Sequence, residues 1–211
     1  MSSEASPAQS SNSKPFSPVE AISMGFKFFK ENLVTFIKLG AVLLVINVIS
    51  GMFTGEDNTS GLAVLMSIVS AIVSILVQIG MTKILLDLHD GKAVNFHHLY
   101  SLYPMLLRYL GASILYGLMV AVGIIFLVIP GIYLAIKYQF YGILIVDKNL
   151  DIMASLKKSG EMTKGNMMNL FVLGLLLIVI NFVGAMLLGL GLLITIPTSM
   201  MAMIYVYRKL S

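Results

Sequence analysis

Six apolar stretches govern what this chain can fold into: approximately Leu33 to Phe53, Gly61 to Leu86, Leu106 to Ile129, Gly131 to Val146, Met167 to Leu190 and Leu192 to Val206. A hydrocarbon layer roughly 30 Å thick takes about 20 helical residues to cross, so most of these stretches have crossing length. Lipid offers the backbone no hydrogen-bond partner, and segments of this kind satisfy their own polar groups by being helical. The expected fold class is all-α, a polytopic membrane protein with about six transmembrane helices. With 58% hydrophobic and only 11% charged residues, the chain has no length left for a further soluble domain of ordinary size.

Charge placement orients the bundle. Lys14, Lys27 and Lys30 precede the first stretch, and Lys83, Lys92 and Arg108 surround the second connection. Lys148, Lys157, Lys158 and Lys164 fill the fourth, and Arg208 and Lys209 close the chain. The first, third and fifth connections have no Lys or Arg, while Glu56 and Asp57 lie in the first. Basic residues favour the cytoplasmic side, so both termini are expected there. Residues 1–16, rich in Ser with Pro7 and Pro15, read as a disordered cytoplasmic tail and not as a signal peptide, leaving 17–211 as one membrane domain.

Three short amphipathic segments recur on that side. Ser17, Pro18 and Glu20 have capping-box spacing, with Val19, Ile22, Phe26 and Phe29 following at helical intervals. Asn95 precedes Phe96, Leu99 and Tyr103; Asp151 precedes Ile152 and Leu156, with Lys157 and Lys158 on the other side. The pattern predicts a unit of cytoplasmic interfacial helix, span, outer turn and span, used three times. Pro130 and Gly131 are expected to form one outer turn, and Gly189, Gly191 and Pro197 another.

Several activities find no support. The absence of cysteine removes disulfides, thiolate nucleophiles and Cys-based metal sites. There is no phosphate-binding glycine loop, no nucleophile elbow and no acidic pair within a span. The net charge of +4 is spread beside apolar segments, which points to anionic lipid headgroups and not to nucleic acid. Asp87, His89, Asp90, His97 and His98 are the only cluster with acid–base or metal potential, but they lack recognised ligand spacing and read as a solvated loop with a turn at Asp90 and Gly91. No cofactor is expected. Small residues at Ser113, Gly117 and Ala121, at Ser67 and Ala71, and at Ser70 and Ser74 are expected to pack helices together.

Lys137 stands out. It lies six positions after Gly131, so at about 1.5 Å per residue it sits roughly 9 Å from the outer end of its stretch. A charge inside a span costs roughly 2.5–3.5 kcal/mol unless it snorkels or finds partners. It either grips a lipid phosphate or lines a polar cavity with Gln139, Gln78, Asn47 or Asn181, or else it snorkels or bonds to Tyr and backbone oxygens. Lys38, nearer an end, is expected to snorkel.

From Ile129 to Asn166 the chain reads IPGIYLAIKYQFYGILIVDKNLDIMASLKKSGEMTKGN. With Pro130 and Gly131 opening a span, Lys137 within it, and Ala154, Leu156, Lys157, Lys158, Ser159, Thr163, Lys164 and Gly165 before the next, this resembles the membrane region attached to some bacterial glycerophosphodiester phosphodiesterases and related standalone multi-pass proteins. The resemblance implies a six-span domain in a bacterial inner membrane. It does not carry the hydrolase, which in the fused enzymes is a separate soluble barrel. The leading expectation is a non-catalytic lipid- or partner-binding module using Lys137, Lys157, Lys158 and Lys164, with a membrane-protein partner or a second copy as further candidates. A small-solute transporter or channel passing Lys137 is the alternative, weakened by the lack of intramembrane carboxylates. A membrane-embedded enzyme using the His89 to His98 region ranks third.

Overall fold

The computed structural model describes residues 16–53, 61–187 and 189–211. The tail (residues 1–15) and the Glu56–Asp57 loop lie outside these. Phe16, placed in the tail by sequence, is buried, and its carbonyl accepts from Asn169 Nδ2 at 3.0 Å. The described residues form helices α1 (Pro18–Glu31), α2 (Leu33–Phe53), α3 (Gly61–His89), α4 (His98–Ser101), α5 (Leu106–Phe126), α6 (Val128–Tyr138), α7 (Tyr141–Lys148), α8 (Ile152–Thr163), α9 (Met167–Met186) and α10 (Leu192–Leu210), with a 3₁₀ turn at Tyr103–Met105. No strand occurs among them.

Four segments are long and apolar enough to cross a membrane: Val64–His89, His98–Phe126, Val128–Lys148 and Met167–Met186. A fifth combines α1 with most of α2, bent by 87° between them. Ile125, Phe126 and Ile129 are each about 80% exposed, a belt that water would penalise and lipid would not. This architecture fits a membrane protein. α10 is less apolar but central: Thr198, Met201, Ala202, Ile204, Val206 and Tyr207 are all buried.

Two expected features of the helical segments are revised. α1 does not stand apart as a surface helix but packs along α10, burying Ala21, Gly25 and Phe29. Of the expected apolar face, Ile22 and Phe29 pack against the core while Val19 and Phe26 are exposed. A side chain at Gly25 would strike the Thr198 carbonyl and come within 2.8 Å of the Ala202 amide nitrogen, so small residues, not large apolar ones, define the contact. The Ser17 side chain makes no cap bond, and the Glu20 carboxylate is held by Tyr205 and by Lys209 at 2.9 Å. The second expected interfacial helix shrinks to the four residues of α4. The third, α8, begins where expected and is capped by Asp151, whose Oδ1 accepts from the Ala154 amide at 3.1 Å, yet it packs against α5, α6 and α7.

The turn expected at Pro130 and Gly131 is displaced, while Gly189 and Gly191 do form one. The chain breaks at Leu127, which is extended, and Pro130 and Gly131 fall inside α6. Proline is tolerated in a first turn, where its missing N–H would have no helical partner. Gly131 instead lets α6 close on α5, since a Cβ there would run into Ile124, and Gly123 approaches Gly131 in the same way. Gly184 and Gly191 repeat this device between α9 and α10, where Gly189 turns the chain at φ +77°. Pro197 lies within α10. Of the small-residue stripes, Gly117, Ala121, Ser67, Ala71 and Ser74 are exposed, so they do not pack helices within this chain.

Candidate functional site

A helix break positions Lys137. α6 ends at Tyr138 and α7 begins at Tyr141, with neither Pro nor Gly between. The interrupted backbone bonds are taken up by α8. Ser159 Oγ donates to the Lys137 carbonyl at 3.1 Å and accepts from the Phe140 amide at 3.1 Å, and Thr163 Oγ1 is 3.1 Å from the same carbonyl. Ser159 and Thr163 are both fully buried. Buried backbone groups left unpaired cost about 1–3 kcal/mol each, so the two hydroxyls hold the break open. The double variant Ser159→Ala, Thr163→Val is expected to destabilise the protein by about 2 kcal/mol, read as a lower thermal midpoint in detergent. An unchanged midpoint would mean that the break does not depend on α8.

Lys137 lies one residue from the end of α6, within the Val128–Lys148 segment and beside the C-terminal turn of α8 and the start of α9. The Lys137 stem lies over Gly160, whose missing side chain would meet its Cε at 3.2 Å. The ammonium sits 5.6 Å from the Tyr133 ring centre and 5.2 Å from that of Tyr138, cation–π distances. Around it opens a cleft of about 510 Å³ lined by Lys137, Lys157, Lys164, Tyr133, Tyr138 and Glu161, among others.

Three of the four lysines singled out by sequence thus share one cleft. Lys158 does not line it and lies 3.6 Å from Glu161. Gln139, Gln78, Asn47 and Asn181 do not line it either. Gln139 lines a second cleft, Gln78 and Asn47 are exposed, and Asn181 bonds to Ser199 Oγ at 2.9 Å. Lys38 lies 6.0 Å from the Phe96 ring centre.

Several cations elsewhere are matched to carboxylates. Lys83 meets Asp87, Lys92 meets Asp90, Lys209 meets Glu20, and Arg208 meets both Asp90 and Asp147. Among the described residues, Lys137 and Lys157 have no carboxylate at ion-pair distance. The cleft gathers Lys137, Lys157 and Lys164 around one carboxylate, Glu161, whose ion pair is with Lys158 outside it.

Residues 103–207, which include the whole cleft, match the family model of a domain of unknown function (DUF7847). Uncharacterised proteins of Mycobacterium bovis and of two strains of Mycobacterium tuberculosis are 28% identical to this chain over 232 aligned residues, covering 94% of it and 70% of each relative. No solved structure matches it. None of these names refers to a phosphodiesterase.

The histidine and aspartate cluster is spread over structural contacts. Asp87 is buried between Lys83 at 2.9 Å and His98 Nε2 at 3.5 Å. His89 packs against the rings of Phe28 and Tyr205, and His97 against that of Tyr100. No group of three His, Asp or Glu residues able to hold a metal occurs among the described residues. Gly91, at φ +68°, makes the turn expected after Asp90. Partial burial pushes the Asp90 carboxyl up, but hydrogen bonds from Lys92 and Arg208 outweigh it and hold its pKa below the usual range.

Sequence reasoning passed over Asp147, Tyr207 and Asn149. Arg208 bonds to Asp147 through two nitrogens, at 2.7 and 2.9 Å, and to Asp90 through two contacts, at 2.9 and 2.8 Å. Tyr207 donates to Asp147 at 2.6 Å. Asn149 ends α7 in a left-handed conformation and accepts from Arg108 at 2.9 Å. These contacts draw the second connection, the end of α7 and the C-terminal end of α10 together. The signal available in the sequence was the short reach of Asp147 from the basic fourth connection, which charge counting alone does not separate from a solvated loop.

Proposed function

We propose that this chain is a non-catalytic membrane module that binds the anionic headgroup of a lipid in the cleft formed by α6, α8 and the start of α9. The observation that carries this reading is the charge imbalance there: Lys137 and Lys157 face one cleft with no carboxylate at ion-pair distance, whereas Arg208 and Lys209 at the end of α10 are paired. A phosphate supplies the missing anion and the acceptors that an ammonium requires. Tyr133 and Tyr138 hold the Lys137 ammonium toward the cleft while leaving its charge uncompensated.

In this reading α2, α3, α5, α6 with α7, α9 and α10 form six spans of a bacterial inner membrane, with both termini cytoplasmic. Lys157 and Lys164 of the cleft then belong to the cytoplasmic connection, on the side where anionic lipid is concentrated. α10 crosses despite its polar residues because neighbouring helices shield it. The resemblance to membrane regions attached to phosphodiesterases fits a module that serves lipid chemistry without performing it.

The test is lipid retention. In native mass spectrometry of the detergent-solubilised protein, Lys137→Ala with Lys157→Ala is expected to reduce retained phosphatidylglycerol at least tenfold, leaving phosphatidylcholine unchanged. Lys158→Ala, outside the cleft, is expected to have little effect. Retention equal to the parent in the double variant would remove this reading.

The broken α6–α7 segment beside Lys137 favours one second reading, a small-solute transporter, because interrupted spans line the binding sites of many carriers. Solute flux in proteoliposomes that Lys137→Ala abolishes would favour it.

A further inference from the structure

The cationic cleft does not end at the headgroup. Met167 lines it, and the next turns of α9 present Leu170, Phe171, Gly174, Leu175 and Ile178 to a second cleft of about 350 Å³, walled by α6 and by Tyr116 of α5. On α9 these residues follow intervals of three and four, so both clefts open on one face of that helix. From Met167 to Ile178 the face runs roughly 16 Å at about 1.5 Å per residue. It begins at ammonium groups and continues through apolar side chains. That polarity sequence is the shape of an amphiphile.

We propose that the second cleft holds one acyl chain of the anionic lipid whose headgroup occupies the first, so that the ligand is a long-chain phospholipid and not a soluble phosphate ester. This rests on the headgroup reading above. One further observation favours a chain here. Gly174 leaves its part of the groove open, with no atom within 4 Å of where a side chain would begin. Gln139 and Tyr116 stand in the groove wall as polar groups beside its apolar lining.

Gly174 also makes the test clean, because a larger residue there fills the groove without displacing protein atoms at its Cβ. The parent protein, Gly174→Ala, Gly174→Leu and the Lys137→Ala, Lys157→Ala double variant are titrated in detergent with dioleoylphosphatidylglycerol and with dihexanoylphosphatidylglycerol, and bound lipid is counted by native mass spectrometry. The parent is expected to bind the long-chain lipid at least tenfold more tightly than the short-chain one. Gly174→Leu should abolish that advantage while leaving short-chain binding unchanged, Gly174→Ala should weaken it little, and the lysine double variant should weaken both lipids. A chain-length advantage that survives Gly174→Leu, or none in the parent, overturns the acyl groove; the headgroup site then stands if the lysine variant still loses both lipids. Equal loss of both lipids in Gly174→Leu also overturns it, as a general disturbance of the bundle. If neither variant changes binding, both readings fall.

Discussion

Replacing Arg208 with Ala is expected to lower the thermal unfolding midpoint in detergent by on the order of 10 °C. The guanidinium makes four hydrogen bonds, two to Asp147 and two to Asp90, joining the end of α7 to the loop after α3 from the last turn of α10. All three groups are less than a quarter exposed. Removing one member of such a buried arrangement leaves the carboxylates desolvated and uncompensated, and costs about 3 kcal/mol, the lower end of the range for buried pairs. For a chain of this length that corresponds to a shift of about 10 °C. Arg208→Lys should recover little, since an ammonium cannot reproduce the planar fork that reaches both carboxylates. Adding Asp90→Asn and Asp147→Asn to Arg208→Ala should restore part of the loss, because the unpaired charges disappear with their partner. A midpoint unchanged in Arg208→Ala would show that the polar end contributes no stability.

What was legible in the sequence follows from this contrast. Apolar length announced α2, α3, α5 and α9, because spanning lipid imposes a length that few other constraints imitate. The start of α8 after Asp151 was legible because a side-chain cap is a local interaction. Lys137 was conspicuous because a charge in an apolar stretch needs an explanation. Its setting was hidden: the break after Tyr138 is satisfied by Ser159 and Thr163, some twenty residues later, and no local breaker marks it. The turn at Leu127 was masked by the stronger visual signal of Pro130 and Gly131, which a first helical turn accommodates. Helix faces were the least legible of all. In lipid a large apolar side chain is equally content outside and inside the bundle, so the stripe Val19, Ile22, Phe26, Phe29 identifies the packed face of α1 only in its Ile22 and Phe29 members, and the small residues of α5 do not guarantee a contact.

Gly25→Leu follows from that last point and is expected to cost about 3 kcal/mol, the upper end of the range for overpacked sites. α1 makes its most extensive contact with α10, and Gly25 is the point of closest approach. The obstructing atoms are the Thr198 carbonyl and the Ala202 amide nitrogen, which belong to a helix backbone and cannot rotate away as a flexible side chain would. α1 must therefore shift outward, and the shift also loosens Glu20 from Lys209 and Tyr205 and uncovers Ala21 and Phe29. Ala202→Gly should not rescue the variant, because it removes only the Ala202 Cβ and leaves both backbone obstacles in place. Gly117→Ala is the matched control: nothing lies within 4 Å of its would-be side chain, and exchanging glycine for alanine within a helix favours the helix by up to about 1 kcal/mol. Thermal midpoints of the three variants in one detergent decide the matter. If Gly25→Leu and Gly117→Ala melt alike, α1 is not held by close packing against α10 but by its polar contacts alone.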